Sequence, residues 1–213
     1  MRTGILGGTF DPIHFGHLDV AQAARRALDL DRVELMPARQ PPHRAEPRAS
    51  AAHRFAMVAL AVQDRPGLVV SDFEMEADGP SFTSATLDRL EARGRRTAGG
   101  FPGIFLITGA DAFGDIATWK DYPGILDRAH FVVVSRPGCP APGLRRRLPD
   151  LAGRMCETPC EIPSRPGIFL VDAPTAPVSS TDVRDRLVRG ESIDGLVPPA
   201  VMTYIERQNL YLA

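Results

Sequence analysis

The sequence predicts an α/β fold: a doubly wound, mainly parallel sheet covered by helices on both faces, with a helical segment at its C-terminal end. Three observations carry this prediction. Short apolar runs rich in β-branched residues recur along the chain, segments with helical spacing fall between them, and the last run is followed by helix signals alone.

TGIL at 3–6 is the first strand pattern, and a helical pattern over 15–28 follows it. VELM at 33–36 precedes a helix over 49–63, and LVVSDF at 68–73 precedes one over 84–93. IFLIT at 104–108 and HFVVVS at 130–135 flank a short helical pattern at 122–127, and IFLVD at 168–172 follows an Arg-rich helical stretch at 144–148. Apolar runs without polar alternation suit strands buried on both faces, as in a parallel sheet. In the tail, Ser-Ser-Thr-Asp at 179–182 supplies an N-cap, and Pro198-Pro199 opens a helix whose Val201, Tyr204 and Ile205 form a packing stripe. The Gly- and Arg-rich 93–103 and the Pro-rich 137–167 read as surface loops. No repeat or composition shift divides the chain, so residues 1–213 read as one domain.

Among 213 residues, 44% are hydrophobic, enough for a real core. A net charge of −1 offers no global attraction to nucleic acid or an anionic membrane, so any polyanion must be bound locally. Cys139, Cys156 and Cys160 are an odd set without a signal-peptide pattern, which argues against a disulfide framework and for a cytoplasmic protein. Cys156 and Cys160 lack the second pair that a zinc site needs. Arg145-Arg146-Arg147 has no interleaved aromatics and reads as a solvated helix face, as does Arg95-Arg96.

The chemistry begins at GGTFDPIHFGHL, 7–18. A strand, then Gly7-Gly8, then a polar turn and a helix is an arrangement in which backbone N–H groups and a helix N-terminus face an anion, with phosphate as the natural guest. G-x-G-x-x-G and G-K-S/T are both absent. His14 and His17, three apart at the helix start, can point to the side of those amides and donate to phosphate oxygens. The other histidines, His43, His53 and His130, stand at no ligand spacing, and no metal site is expected on the protein.

This stretch resembles the H-x-G-H signature of the nucleotidyltransferase superfamily, in the G-G-T-F-D-P-x-H-x-G-H spelling of bacterial nicotinate mononucleotide adenylyltransferases. PPHR at 41–44, PSFTSATL at 80–87, GAD at 109–111, Trp119, SRPG at 135–138, VSSTDVR at 178–184 and the tail extend the resemblance over essentially the whole chain. It implies a Rossmann-like nucleotidyltransferase fold and transfer of the adenylyl group of ATP to nicotinate mononucleotide, giving deamido-NAD and pyrophosphate. It also implies Mg²⁺ held mainly by the ATP phosphates. The resemblance places Gly7, Gly8, Thr9, Phe10, His14, His17, His43, Arg44, Gly109, Asp111, Ser180, Thr181 and Arg184 at ATP, with His14, His17 and Arg184 catalytic. Thr86, Trp119 and Arg136 are implied at the mononucleotide. Small-molecule substrates are expected, with no nucleic-acid or membrane partner; homo-oligomerisation is left open. A sister enzyme acting on nicotinamide mononucleotide or phosphopantetheine is the first alternative, although the latter family usually has Thr at the position of His14. A nucleotide-binding sensor without turnover is the second.

Topology makes its own prediction. In a sheet of order 3-2-1-4-5 the switch point lies between the first and fourth strands, so Gly7-Gly8 and Gly109-Ala110-Asp111 should flank one crevice.

Overall fold

The computed structural model describes residues 1–42, 46–76, 79–93, 104–158 and 160–212. Seven strands form one sheet: β1 (Thr3–Gly8), β2 (Arg32–Pro37), β3 (Leu68–Val70), β4 (Ile104–Gly109), β5 (His130–Val134), β6 (Met155–Glu157) and β7 (Ile168–Val171). Their order is β3-β2-β1-β4-β5-β7-β6, and every pairing is parallel. The expected order is present, with β7 and β6 added beyond β5. β1 pairs with β2 on one side and β4 on the other, which puts the switch point between β1 and β4 as expected.

The helices are α1 (Phe15–Ala27), α2 (Ala51–Val62), α3 (Thr83–Ala92), α4 (Ala110–Phe113), α5 (Leu144–Arg147), α6 (Ser180–Val188) and α7 (Pro199–Arg207). Each sheet face has its own core. Leu18, Ala21 and Ala24 of α1 join Met57 and Val58 of α2 and Val201 and Ile205 of α7 on one side. Leu87 and Leu90 of α3 join Phe113, Phe131 and Leu144 on the other. Complete burial of such large apolar side chains contributes about 1.5–3 kcal/mol each, the main force holding helices to the sheet. Among the described residues, no helix is long and apolar enough to cross a membrane.

Two expectations need correction. Within 137–167, residues 141–157 are structured rather than loose: α5, flanking 3-10 turns and β6 occupy them, and Ala141, Leu144, Leu151 and Met155 are buried. β6 escaped the sequence reading because three residues are too few to show a period, and only β7 beside it makes them a strand. Arg145 is not simply solvated, since its guanidinium donates to the carbonyls of Met155 at 2.7 Å and Ala152 at 3.1 Å, tying α5 to β6. Cys156 and Cys160 are paired, with Cα atoms 6.6 Å apart; this is one local link and not the framework that the sequence argued against. Most of 93–103 lies outside the described residues.

Candidate active site

Two cavities open at the carboxyl ends of β1 and β4 and share Gly7, Gly8, Thr9, Thr108 and Ala112. The first, of about 810 Å³, is lined by His14, His17, Arg136, Ser179, Ser180, Thr181 and Arg184 together with Asp111. The second, of about 410 Å³, is lined by Phe82, Thr83, Thr86, Trp119 and Lys120. Gly7, Gly8 and Asp111 therefore border one crevice, as the switch-point rule requires.

The turn after β1 is held by close packing. Phe10 takes φ +50 and buries its ring under Gly8, where a Cβ would stand 2.8 Å from the ring. His14 has extended backbone and caps α1. Its ring stacks on His17 with centroids 3.7 Å apart, and Phe10 meets His17 edge-on at 4.9 Å. The backbone N–H of His14 donates to Nδ1 of His17 at 3.4 Å, so in the neutral His17 ring the proton sits on Nε2. Gly16 leaves room for what lies behind: a Cβ there would stand 2.8 Å from Nη1 of Arg136 and 3.1 Å from the Ala176 carbonyl oxygen.

Electrostatics set the charge of His14. His14 is 2% exposed, and burial, reinforced by the charge of Arg136, pushes its pKa down to about 3. It is therefore held as a neutral imidazole, able to donate from one ring nitrogen. Bound polyphosphate would favour its protonation.

The C-terminal segment closes the first cavity. Ser179 caps α6 by accepting from the Asp182 N–H at 3.1 Å, and Ser180 Oγ donates to the Pro12 carbonyl at 2.9 Å. Arg184 donates to the Asp11 carbonyl at 2.7 Å and to Thr181 Oγ1 at 3.1 Å. The N–H of Phe15 bonds the carbonyl of Leu196 at 3.0 Å. The two ends of the chain are thus hydrogen-bonded into one wall.

Of the residues expected at the mononucleotide, Thr86 and Trp119 line the second cavity. Trp119 is half-buried and meets Phe131 edge-on at 6.4 Å. Arg136 is the exception. It lines the first cavity, donating to the carbonyls of Gly16 at 3.1 Å and Val178 at 3.4 Å, because the loop after β5 turns its side chain toward α1. Gly109 caps α4, and a Cβ on it would strike the Asp111 carboxylate, which folds back over it. His43 and Arg44 lie outside the described residues; Glu46, Pro47 and Arg48 beyond them line the first cavity.

Asp11, Arg54 and Tyr211 carry no role in the sequence reading, yet they brace the site. Asp11 accepts from the N–H groups of Arg48 at 2.9 Å and Ala49 at 3.0 Å and from the Tyr211 hydroxyl at 2.8 Å. Arg54, 1% exposed in α2, donates to the carbonyls of Thr9, Ala38, Arg39 and Ala49. The acid inside the opening motif was a visible signal; Arg54, on a helix among apolar residues, offered none.

His130, 4% exposed, is a core residue. It stacks on Phe105 with centroids 4.9 Å apart, and its Nδ1 accepts from the Gly167 N–H at 3.1 Å; burial lowers its pKa to about 4. His14 and His130 both bind a proton better in the unfolded chain, where the ordinary value is 6.5. Stability therefore falls as pH drops below about 6.5 and keeps falling toward the folded values, by about 2 kcal/mol per histidine at about pH 5. In urea unfolding, the stability lost between about pH 7.5 and about pH 5 should be smaller by about 2 kcal/mol in His130→Asn than in the wild type. An equal pH dependence in His130→Asn and the wild type would contradict burial of the His130 ring as a neutral group.

Fold and site together define a doubly wound, parallel α/β protein of nucleotidyltransferase type, with a cavity lined by histidine, arginine and hydroxyl side chains beside a smaller, partly aromatic one. The family model described as cytidylyltransferase-like matches residues 5–186. A probable nicotinate-nucleotide adenylyltransferase from Roseiflexus sp. (strain RS-1) is 41% identical over 98% of this chain and 96% of its own length. One from Chromohalobacter salexigens is 42% identical over 99% and 95%. The chain belongs to the nicotinate-nucleotide adenylyltransferase family within the cytidylyltransferase-like group. The structure of Plasmodium falciparum nicotinic acid mononucleotide adenylyltransferase complexed with NaAD shares the fold, with a TM-score of 0.74 and 18% identity over 98% of this chain and 96% of that one.

Proposed function

We propose that the protein transfers the adenylyl group of ATP to nicotinate mononucleotide, a step of NAD biosynthesis. The observation that carries this reading is the meeting of the two cavities at Gly7, Gly8, Thr9, Thr108 and Ala112, which lets two phosphorylated ligands approach one another at the end of β1. An oxygen of the mononucleotide phosphate attacks the α-phosphorus, the bond to the bridging oxygen breaks, and pyrophosphate leaves. The nucleophile is already an anion, so no general base is needed, and the protein's task is alignment and charge stabilisation.

In this reading His17, through Nε2–H, and neutral His14 donate to phosphate oxygens. Arg184, fixed by the Asp11 carbonyl and Thr181, faces the charge growing on the leaving pyrophosphate. Gly7, Gly8, Thr9, Phe10 and Ser180 shape the cradle, and Gly109 and Asp111 meet the nucleotide ribose. His43 and Arg44 keep their proposed place over ATP. Trp119 offers its face to the pyridine ring, while the start of α3, ahead of Thr86, offers backbone N–H groups to the ring carboxylate. Arg136, placed against His14, serves the phosphate side. Mg²⁺ would arrive on the ATP phosphates, take few ligands from the protein and supply neutralisation of part of their charge. The whole chain, 1–213, acts as one catalytic domain in the cytoplasm, with 178–213 completing the ATP site. Its partners are small molecules and neither nucleic acid nor membrane.

Pyrophosphate release from ATP and Mg²⁺ with each acceptor tests this. It should be fastest with nicotinate mononucleotide. Faster release with nicotinamide mononucleotide would overturn the acceptor assignment, and ATP binding without release would point to a sensor.

A further inference from the structure

The second cavity contains an ionisable group that the reaction chemistry does not use. Glu74, in the loop after β3, is 6% exposed and lines this cavity with Ser81, Phe82, Thr86 and Trp119. None of these five residues lines the first cavity, so the carboxyl group sits away from the phosphate end.

Its hydrogen bonding depends on its charge. Thr86 Oγ1 lies 2.6 Å from Glu74 Oε1 and 3.2 Å from the Phe82 carbonyl oxygen, within donating distance of both. A hydroxyl has one proton. When Glu74 is ionised, Thr86 donates to it and gives Phe82 nothing; when Glu74 is protonated, the acid can donate to Thr86 and Thr86 to Phe82, so both contacts are hydrogen bonds. Burial pushes the Glu74 carboxyl above its ordinary value of 4.5, outweighing the hydrogen bonds from Thr86 and Ser81 and the charge of Arg89 on α3. Other charges stand nearby. Lys120, with Nζ 4.9 Å from the Phe82 ring centre, and Asp115 line the same cavity. Arg39 donates to the Met75 carbonyl at 3.4 Å, and Glu76 pairs with Arg93 at 2.7 Å.

We propose that Glu74 reads the charge of the acceptor's ring substituent: as the uncharged acid it admits a carboxylate-bearing mononucleotide, and as the anion it repels that ligand while sparing the amide-bearing one. The proposal rests on the function proposed above and adds a specificity-determining residue to it. Two carboxylates in one partly desolvated pocket repel far more strongly than in water, whereas a neutral amide meets no such penalty.

Titration calorimetry gives the Kd of nicotinate and nicotinamide mononucleotide between about pH 5 and about pH 8.5, a span lying above the ordinary carboxyl range. Both ligands carry the same phosphate, so its titration cancels in the ratio of the two constants. In the wild-type protein the acid-to-amide ratio of Kd should rise by at least about fivefold across this range; in Glu74→Gln it should stay level within about twofold. A wild-type ratio that does not move, or a rise that survives in Glu74→Gln, overturns the proposal. The wild-type measurement stands by itself if the variant fails to fold. Absence of binding by both mononucleotides would sink the parent reading and this one together, whereas binding of both at a constant ratio sinks only the role of Glu74.

Discussion

Replacing His17 with alanine is expected to lower kcat by at least roughly 100-fold, the loss typical of removing one oxyanion-type donor. The ring is fixed before any ligand arrives. His14 stacks on it at 3.7 Å, Phe10 meets it edge-on, and the His14 N–H occupies Nδ1, leaving Nε2–H as the donor of the neutral ring. Because that bond strengthens as the phosphate oxygens gain charge, its loss should fall on kcat far more than on KM for ATP. Steady-state kinetics with both substrates varied would show this split. Unchanged turnover in a folded His17→Ala protein would remove His17 from the chemistry.

Arg54→Met should destabilise the protein by about 3–5 kcal/mol, the cost of removing a buried charge that makes four hydrogen bonds. The guanidinium donates to Thr9 after β1, to Ala38 and Arg39 after β2, and to Ala49 just ahead of α2. Methionine keeps much of the volume but leaves those buried carbonyl oxygens without a donor and removes a cation that acts on Asp11. Burial lowers the Arg54 pKa, yet an arginine has so far to fall that it remains charged and the whole penalty of its removal is felt. Urea unfolding at neutral pH measures the effect. A loss below about 1 kcal/mol would mean that the loops around the site hold themselves in place.

The comparison with the sequence is most instructive at Arg136 and Asp11. SRPG after the fifth strand correctly placed Arg136 at the carboxyl edge of the sheet, but two cavities meet at that edge. Which one it enters depends on the room Gly16 leaves beside α1. Asp11 stood inside the quoted motif, yet its partners at Arg48, Ala49 and Tyr211 lie 37, 38 and 200 residues away. No local spacing announces such a contact. His14 shows the same limit in its charge: the motif marked it as a phosphate ligand, while its neutrality comes from burial and Arg136.

By itself the sequence determined the strand and helix alternation, the switch point between the first and fourth strands, the turn at GGTFDPIHFGHL and the helix cap within VSSTDVR. These are written in short-range signals: buried apolar runs, glycine turns and helix caps, which depend on neighbours a few residues away. The tertiary structure alone decided the edge strand β6, the cavity that receives Arg136, the protonation of His14 and the bracing by Asp11, Arg54 and Tyr211. Burial and electrostatic field are sums over everything packed around a group, and for these residues most of what is packed around them comes from distant parts of the chain.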